Sequence, residues 1–224
     1  MKLLIQSILL TLVFTVLTGL LYPIAVTGIA QLAFHHQANG SLIEKNGQVV
    51  GSELLAQQFT GAKYFWPRPS AGRYATVPSG ASNLGPTSAQ LQSNVVSNAR
   101  AFRDGNHLAA DVPVPADMVF TSGSGLDPHI SPEAARLQIA RVAAERKLSE
   151  AVVRALVEKF IEPPQWGIFG EPRVNVLLLN LALDRQESGG DYERLAAGHR
   201  GRTHRRPHVR NPRQPALTGE PGAS

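Results

Sequence analysis

A long uncharged segment near the amino terminus constrains the fold of this chain more than any other feature. Residues 3–34 are 32 consecutive positions without Asp, Glu, Lys, Arg or His. As a helix rising 1.5 Å per residue, they would extend roughly 48 Å, whereas the hydrocarbon core of a bilayer is about 30 Å thick. The segment therefore predicts one transmembrane helix, and we assign residues 1–36 to a membrane anchor.

A cleaved signal peptide is the alternative interpretation of this segment. Lys2 supplies a basic start, and the small residues around Ala30 resemble a cleavage site. However, the apolar part of a signal peptide usually has only about 7 to 15 residues, so the run length favours a retained anchor. Lys2 and the terminal amine are the basic groups before the helix. They predict a cytoplasmic amino terminus, with the rest of the chain outside the cytoplasm.

Small or polar side chains recur every four residues along the anchor. The members of this stripe are Ser7, Thr11, Thr15, Gly19, Pro23, Thr27 and Gln31. In lipid, small residues let helices approach closely and hydroxyl groups bond across the contact, so we expect the stripe to pack against a partner helix. Hydroxyl groups that bond to the backbone of their own helix are the alternative.

Residues 37–187 predict one α+β domain, beginning with a β-hairpin. Short β-prone segments flank the turn-forming pair Asn46-Gly47 within residues 41–51. Ser52 is a predicted cap of a short helix that ends near Phe59. Residues 60–88 have many turn formers and no apolar periodicity, but they include four aromatic residues, which favours an ordered functional loop.

Helices dominate the rest of this predicted domain. Thr87 and Gln90 form a capping-box pattern before a helix to about Arg103, and residues 119–121 resemble a short strand. Ser131 and Pro132 predict the start of a helix that ends near Lys147. Ser149 predicts the start of the next helix, with the apolar residues 152, 153, 156 and 160 on its inner side. Residues 172–184 are apolar on every face, so strand and helix both remain open, with helix from Asn175 preferred.

The carboxy-terminal residues 188–224 differ in character from the domain. They contain seven Arg and three acidic residues, and therefore contribute +4 to the chain's net charge of +5. They have no apolar periodicity and predict a disordered basic tail. The chain has no cysteine, so the domain is predicted to fold without disulfides.

The segment 122–132 places two serines, an aspartate and a histidine close together. Catalytic triads are assembled from separate parts of a scaffold, and no G-x-S-x-G pattern occurs here, so we predict no catalytic residue. Asp127 before Pro128 and the glycines at 123 and 125 indicate a tight turn instead. We therefore interpret the segment as a structural joint before the helix at Pro132.

Metal, nucleotide and nucleic-acid sites find little support in the sequence. His35 and His36 are adjacent and would point in different directions, and no phosphate-binding G-x-x-x-x-G-K-[ST] pattern is present. Residues 140–160 resemble a helix-turn-helix, but Glu150, Glu158 and Glu162 are unfavourable to phosphate contacts. A membrane-anchored hydrolase and a nucleic-acid-binding regulator remain the alternative functions.

Motifs in order along residues 10–187 resemble the C subunits of Kdp-type high-affinity potassium-transporting ATPases, the KdpC family. The motifs are TGLLYPIAVTGIAQLAF in the anchor, QANGSLI from Gln37, FTG from Phe59, RPSA from Arg68, SNLGP from Ser82, SGSGLDPHISPEAA from Ser122, RVA from Arg141, LSE from Leu148 and GEPRVNVLLLNLALD from Gly170. Pro67 stands where this family usually has Gly, and the basic tail has no counterpart in the pattern.

The resemblance implies a single-pass accessory subunit of the bacterial inner membrane. Its implied partners are a channel-like potassium-binding subunit and an ATP-hydrolysing subunit, whose affinity for ATP it raises as a catalytic chaperone. No metal is implied, and ATP is implied only through the complex. We expect the anchor stripe and the motif residues of the domain to contact the partners. The motif residues are Arg68, Pro69, Ser70, Ser82, Asn83, Leu84, Gly85, Ser122, Gly125, Leu126 and Asp127.

Overall fold

The amino-terminal helix of the computed structural model is long enough to cross a membrane. The structure describes residues 1–45 and 47–187, so the predicted basic tail at 188–224 lies outside the described residues, as does Asn46 of the predicted hairpin turn. Within the described residues, the continuous helical segment Lys2–Ala33 is the one that is sufficiently long and apolar. The prediction of one N-terminal apolar helix is therefore confirmed.

A wide helical turn interrupts this segment near its middle. The α-helices α1 (Lys2–Val16) and α2 (Tyr22–Ala33) flank a π-helical turn at Leu17–Leu21. Pro23 is the cause we infer, because proline has no N–H and its ring would clash with the carbonyl of Gly19 in a regular α-helix. The N–H of Tyr22 accordingly bonds to Leu17 O, five residues back.

Two hydroxyl groups of the stripe bond to their own helix. Ser7 Oγ donates to Leu3 O and Thr15 Oγ1 donates to Thr11 O, both at 2.8 Å. These bonds give the two hydroxyl protons acceptors within their own helix, without a partner helix. This is the alternative interpretation of the stripe. Packing of the small residues against another helix therefore stays a prediction.

A β-hairpin joins the anchor to the domain, as predicted. After the short helix α3 (His35–Ala38), β1 (Leu42–Lys45) pairs antiparallel with β2 (Gln48–Ser52). The helix predicted from Ser52 to Phe59 does not form. Ser52 instead ends β2, donates from Oγ to Gly40 O at 2.7 Å and accepts from Leu54 N in a turn.

Residues 60–88 contain no helix or strand, in agreement with the predicted loop, and the coil begins earlier, at residue 53. The helix α4 (Ala89–Asn106) follows, and Ser88 caps it by accepting from Leu91 N. The predicted cap at Thr87 is wrong, because Gln90 bonds to Asn94 and does not reach back to a capping-box partner. The left-handed residue His107 ends α4.

Residues 119–121, predicted as a strand, belong instead to the end of the short helix α5 (Ala116–Val119) and the residues after it. The carboxylate of Asp117 accepts from both N and Oγ of Ser131 at 2.7 and 3.1 Å. Asn98 of α4 donates to Val119 O at 2.9 Å. These tertiary hydrogen bonds hold the segment in a turn, which a local pattern does not reveal.

Two of the predicted helix starts are confirmed. Ser131 and Ser149 cap α6 (Pro132–Leu137) and α8 (Glu150–Lys159). The helix predicted to run from Pro132 to near Lys147 is, however, broken at Gln138, and a second helix, α7 (Ile139–Arg146), continues after it. Val152, predicted to face inward on α8, is exposed, whereas Val153 and Leu156 are buried.

The apolar segment 172–184 contains both a strand and a helix. The strand β5 (Arg173–Asn175) lies between β3 (His129–Ile130) and β4 (Ile161–Glu162), and both pairings are antiparallel. Helix α9 (Val176–Glu187) follows immediately, so the preferred helix begins one residue later than predicted. Mixed strands and helices confirm the α+β class.

The hydrophobic core lies between the helices and this three-stranded sheet. It is formed mainly by aliphatic side chains of α6 to α9 and β5, with aromatic residues from the coil and α4. The most buried large members are Phe65, Phe102, Ile130, Ile139, Val142, Val153, Val157, Val174, Leu179 and Leu183.

Two buried amide side chains fix the coil against this core. Asn180 Oδ1 accepts from Phe65 N at 2.8 Å, and Asn180 Nδ2 donates to Phe65 O at 2.9 Å. Gln138 makes the equivalent pair with Trp66 N and O, at 2.7 and 3.2 Å. The amides thus replace the neighbouring strand that would otherwise satisfy this extended backbone.

A buried guanidinium group completes the attachment. Arg141 donates from Nε to Asn106, from Nη1 to the carbonyl oxygens of Ala62 and Tyr64, and from Nη2 to Gln138. Its guanidinium carbon lies 3.8 Å from the centre of the Trp66 ring, in a cation–π contact. Burial lowers the pKa of Arg141 to about 10, so the side chain remains charged at neutral pH.

Arg141→Lys should destabilise the protein, because an ammonium group cannot span the acceptors that the planar guanidinium reaches. We expect the free energy of unfolding to fall by about 2–4 kcal/mol, the cost of leaving several buried acceptors unpaired. Chemical denaturation of the purified full chain in detergent would measure this. The control Arg100→Lys changes an exposed side chain and should stay within about 0.5 kcal/mol. An equally small effect at Arg141 would contradict the assignment.

Candidate partner-binding surface

An ion pair joins two motifs that are far apart in the sequence. Arg68 Nη1 donates to Asp127 Oδ2 at 2.8 Å, and Nη2 lies 3.5 Å from Phe120 O. Arg68 comes from the coil that the buried amides hold, whereas Asp127 belongs to the turn before β3. Both side chains are partly buried. The pair therefore locks the coil to the turn at the protein surface.

The environment of Asp127 strongly favours its ionised form. Partial burial opposes ionisation, but hydrogen bonds from His129 and Arg68 outweigh it and lower the pKa of Asp127 to about 2. The backbone N–H of His129 donates to Oδ1 at 3.0 Å, and His129 Nδ1 lies 3.3 Å from the same oxygen. Asp127 thus acts as a fixed structural anion at neutral pH.

A second set of contacts brings Ser70 against Gly125. Ser70 Oγ donates to Gly125 O at 2.7 Å and accepts from Tyr74 N at 2.9 Å. Gly125 has a φ of +70°, and a Cβ atom at this position would lie 2.9 Å from Gly80 O. Glycine is therefore required here both by its backbone conformation and by close packing. Tyr74 donates its hydroxyl proton to Arg68 O, and burial raises its pKa to about 12.

These contacts border an open depression of about 550 Å³ at the end of the domain where the anchor enters. Arg68, Ser122, Leu126 and Asp127 contribute to its lining, together with the exposed pair Leu54 and Leu55. Glu53, the residue before Leu54, donates from its backbone N to Ser41 O, close to the end of the anchor. The depression therefore lies beside the junction between the anchor and the domain.

The structure assembles part of the predicted set of contact residues. Arg68, Ser70, Gly125 and Asp127 meet directly, and Pro69 lies between the first two. Ser122 and Leu126 are buried in the same turn, where their carbonyl oxygens accept from Gly125 N and Ala56 N.

The SNLGP motif is not joined to this group in the same way. Within the described ranges, no hydrogen bond connects Ser82, Asn83 or Leu84 to Arg68 or Asp127. Gly85 O accepts from Ser88 N at the start of α4. Asn83 has a left-handed backbone, with φ +53°. This motif lies in the segment that leads into α4. The residues that line the depression come from other parts of the chain.

Comparison with known proteins identifies the family. Residues 4–185 match the family model described as "K+-transporting ATPase, c chain" (KdpC). This match spans both the anchor and the domain. The chain belongs to the KdpC family.

Curated KdpC relatives align along most of their own length. The "Potassium-transporting ATPase KdpC subunit" of Methylococcus capsulatus is 52% identical over 181 residues, which cover 80% of this chain and 95% of the relative. The subunit of the same name from Rhodospirillum rubrum is 56% identical over 177 residues, or 77% and 90% of the two chains. That of Mycobacterium tuberculosis H37Rv is 51% identical over 184 residues, or 81% and 97%.

The charged side chains beside the depression of this KdpC chain are paired with one another. Among the described residues, no group of three or more His, Asp or Glu side chains is arranged to hold a metal ion. Asp127 is already engaged by Arg68 and His129. The match to a transport-ATPase family supports neither the hydrolase nor the nucleic-acid-binding alternative.

The residues that hold the surface in place were not among the predicted site residues. Arg141 and Asn180 lie on helices, where polar side chains ordinarily face water, and Gln138 lies at the break between α6 and α7. A signal was present for one of them, because Asn180 is a polar residue inside an apolar segment. Its side chain should therefore have a buried hydrogen-bond partner. The identity of that partner depends on the fold.

Asp127→Asn should weaken the domain through loss of its ionic contacts and reduce the acid sensitivity of its stability. Because the folded pKa of about 2 lies below the ordinary value of 3.8, ionised Asp127 stabilises the fold above about pH 4. That stabilisation, about 1–2 kcal/mol, is lost as the pH falls towards 2. Thermal unfolding in detergent at pH 2–5 should show a flatter pH dependence for the variant. The control Asp104→Asn, on the exposed face of α4, should retain the wild-type profile; an unchanged profile for Asp127→Asn would refute the assignment.

Proposed function

We propose that this KdpC chain is a non-catalytic accessory subunit that assembles and stabilises an ATP-driven potassium uptake pump. The observation that carries the proposal is the family match from residue 4 to residue 185, which includes the apolar helix together with the folded domain. Its proposed partners are the channel-like potassium-binding subunit and the ATP-hydrolysing subunit. Curated relatives named as subunits of a potassium-transporting ATPase support this assignment.

We further propose a single pass through the bacterial inner membrane, with the domain outside the cytoplasm. The positive residue Lys2 lies at the start of the helix, and residues 3–34 are uncharged, which supports a cytoplasmic amino terminus by the positive-inside rule. The helix then supplies one contact with the pump in the bilayer, through the stripe that contains Gly19. The depression near the anchor supplies a second contact at the membrane surface.

Direct binding of ATP fits this surface poorly. Arg68 contributes a cation to the depression, but its guanidinium already pairs with the ionised carboxylate of Asp127 at 2.8 Å. A triphosphate would meet that carboxylate and would need several further donors. A chaperone-like effect on ATP affinity therefore has to act through the ATP-hydrolysing subunit, by stabilising a conformation of the assembled pump.

Gly19→Leu should reduce co-purification of the pump subunits with this chain. Gly19 lies in the wide turn of the anchor and leaves open space where a Cβ atom would stand. A leucine there would block close approach of a partner helix, and we expect about a tenfold loss of the recovered complex. Gly28→Leu is the matched control, because Gly28 also has open space but lies outside the stripe. Equal recovery for the two variants would count against the stripe.

Asp127→Ala should lower assembly of the complex because it releases Arg68 and the turn beside the depression. The quantity to measure is the amount of potassium-binding subunit recovered with the tagged chain, alongside the ATP concentration that half-saturates the ATPase. Reduced recovery with normal ATPase activity per assembled complex would support an attachment role. Normal recovery with lost activity would instead indicate a chemical role for Asp127.

A reporter fused after residue 187 tests the proposed orientation. Alkaline phosphatase, which is active only outside the cytoplasm, should be active in this fusion. A fluorescent protein that matures only in the cytoplasm should remain dark. The reverse result would place the domain in the cytoplasm and exclude a docking surface outside the membrane.

A further inference from the structure

The loop between β4 and β5 presents a compact group of large apolar side chains to solvent. Trp166, Ile168 and Phe169 are 82%, 79% and 60% exposed. We refer to these three residues as the aromatic tip. Single exposed apolar residues are normal on a soluble surface, but a contiguous patch that includes two aromatic rings indicates an interaction site. Neither the anchor nor the depression includes these residues.

Hydrogen bonds hold the aromatic tip in a defined shape. Gln165 and Phe169 exchange backbone hydrogen bonds of 2.8 and 3.0 Å, and Gly167 N donates to Pro164 O at 2.9 Å. The rings of Trp166 and Phe169 pack edge to face, with centroids 6.0 Å apart. A preformed tip loses little conformational entropy when it is bound, which favours affinity.

The backbone conformation of Trp166 also indicates a functional role for the tip. Its φ of +54° lies in the left-handed region, which is unfavourable for a bulky side chain. Strained backbone is commonly retained at binding sites, where it positions a side chain for a partner. In this case the strain accompanies an indole ring that packs against little of its own domain.

The charges around the tip favour a binding partner whose contact surface is uncharged. Between Pro163 and Pro172, Glu171 is the only charged residue. At the base of the loop, Glu162 and Arg173 form an ion pair of 3.0 Å across β4 and β5. The tip therefore offers apolar rings on a nearly neutral base, which suits an apolar cleft and not an anionic lipid surface.

The sheet places the tip at the opposite end from the anchor. Asn175, at the end of β5, donates to Glu53 O beside the anchor junction. Arg173, at the start of β5, pairs with Glu162, and the loop extends beyond them. The tip thus projects from the sheet end that is distal to the bilayer attachment. This position favours a protein surface over the membrane as the group that covers it.

We propose that the aromatic tip inserts into a neutral apolar cleft of a protein partner, separate from the contact made at the depression. This inference rests on the proposed function, under which the partner is the part of the potassium-binding subunit that lies outside the cytoplasm. The domain would then be attached at both ends of its sheet. Attachment at two separated points would hold the domain in one orientation on the pump.

Photo-crosslinking of the full chain in intact membranes tests this proposal. Ile168→p-benzoylphenylalanine places a crosslinker in the tip, and the same replacement of the exposed residue Val96 on α4 is the control. We expect adducts with the potassium-binding subunit at a yield at least about tenfold higher from position 168. A yield equal to the control, adducts with lipid alone, or adducts with a second copy of this chain would overturn the proposal.

A double variant tests whether the tip contributes to binding. Trp166→Ser with Phe169→Ser should reduce the recovered complex about tenfold, because aromatic anchors dominate interface energetics. Val96→Ser is the control and should leave recovery unchanged. Full recovery of the complex by the double variant would overturn the inference.

Results with the unsubstituted chain distinguish failure of the inference about the tip from failure of the proposed function. If it recovers the pump subunits while the tip neither crosslinks nor affects recovery, only the inference about the tip fails. If it recovers no pump subunit at all, the proposed function fails as well.

Discussion

Hydrogen bonds from buried side chains to the backbone of the coil are the interaction on which the domain depends. Residues 53–88 have neither helix nor strand, so no regular ladder satisfies their backbone groups. Asn180 and Gln138 bond to Phe65 and Trp66 in the manner of a neighbouring strand, and Arg141 binds two further carbonyl oxygens. Because an unpaired buried polar group is costly, these bonds specify one position of the coil on the core.

The candidate surface follows from that attachment. Phe65 and Trp66 are held on the core, so Arg68 emerges two residues later at a defined place, where it meets Asp127. Ser70 then reaches Gly125, whose lack of a side chain leaves room for the coil. The interior thus determines the shape of the depression, and the residues around it provide a rigid surface for the proposed partner. Chemical reactivity is not needed for this role.

The features that could be predicted were those with a local physical cause. The uncharged segment specifies a helix long enough for a membrane, and serine caps mark the starts of α6 and α8. The segment near Val119 was predicted as a strand because its residues are β-prone. Bonds from Asn98 and Ser131 override that preference. Likewise, the pattern did not reveal that the helix after Pro132 stops at Gln138, whose amide pairs with Trp66.

The sequence alone was sufficient to determine the long apolar helix, the α+β class and the family, because run length, caps and ordered motifs are properties of neighbouring residues. It also identified Arg68 and Asp127 as motif residues. Only the tertiary structure brought them together, at a separation of 59 positions along the chain. The reason is that such a contact depends on how the intervening coil packs, and that packing is decided by buried partners from α4, α7, α9 and the break between α6 and α7 acting together.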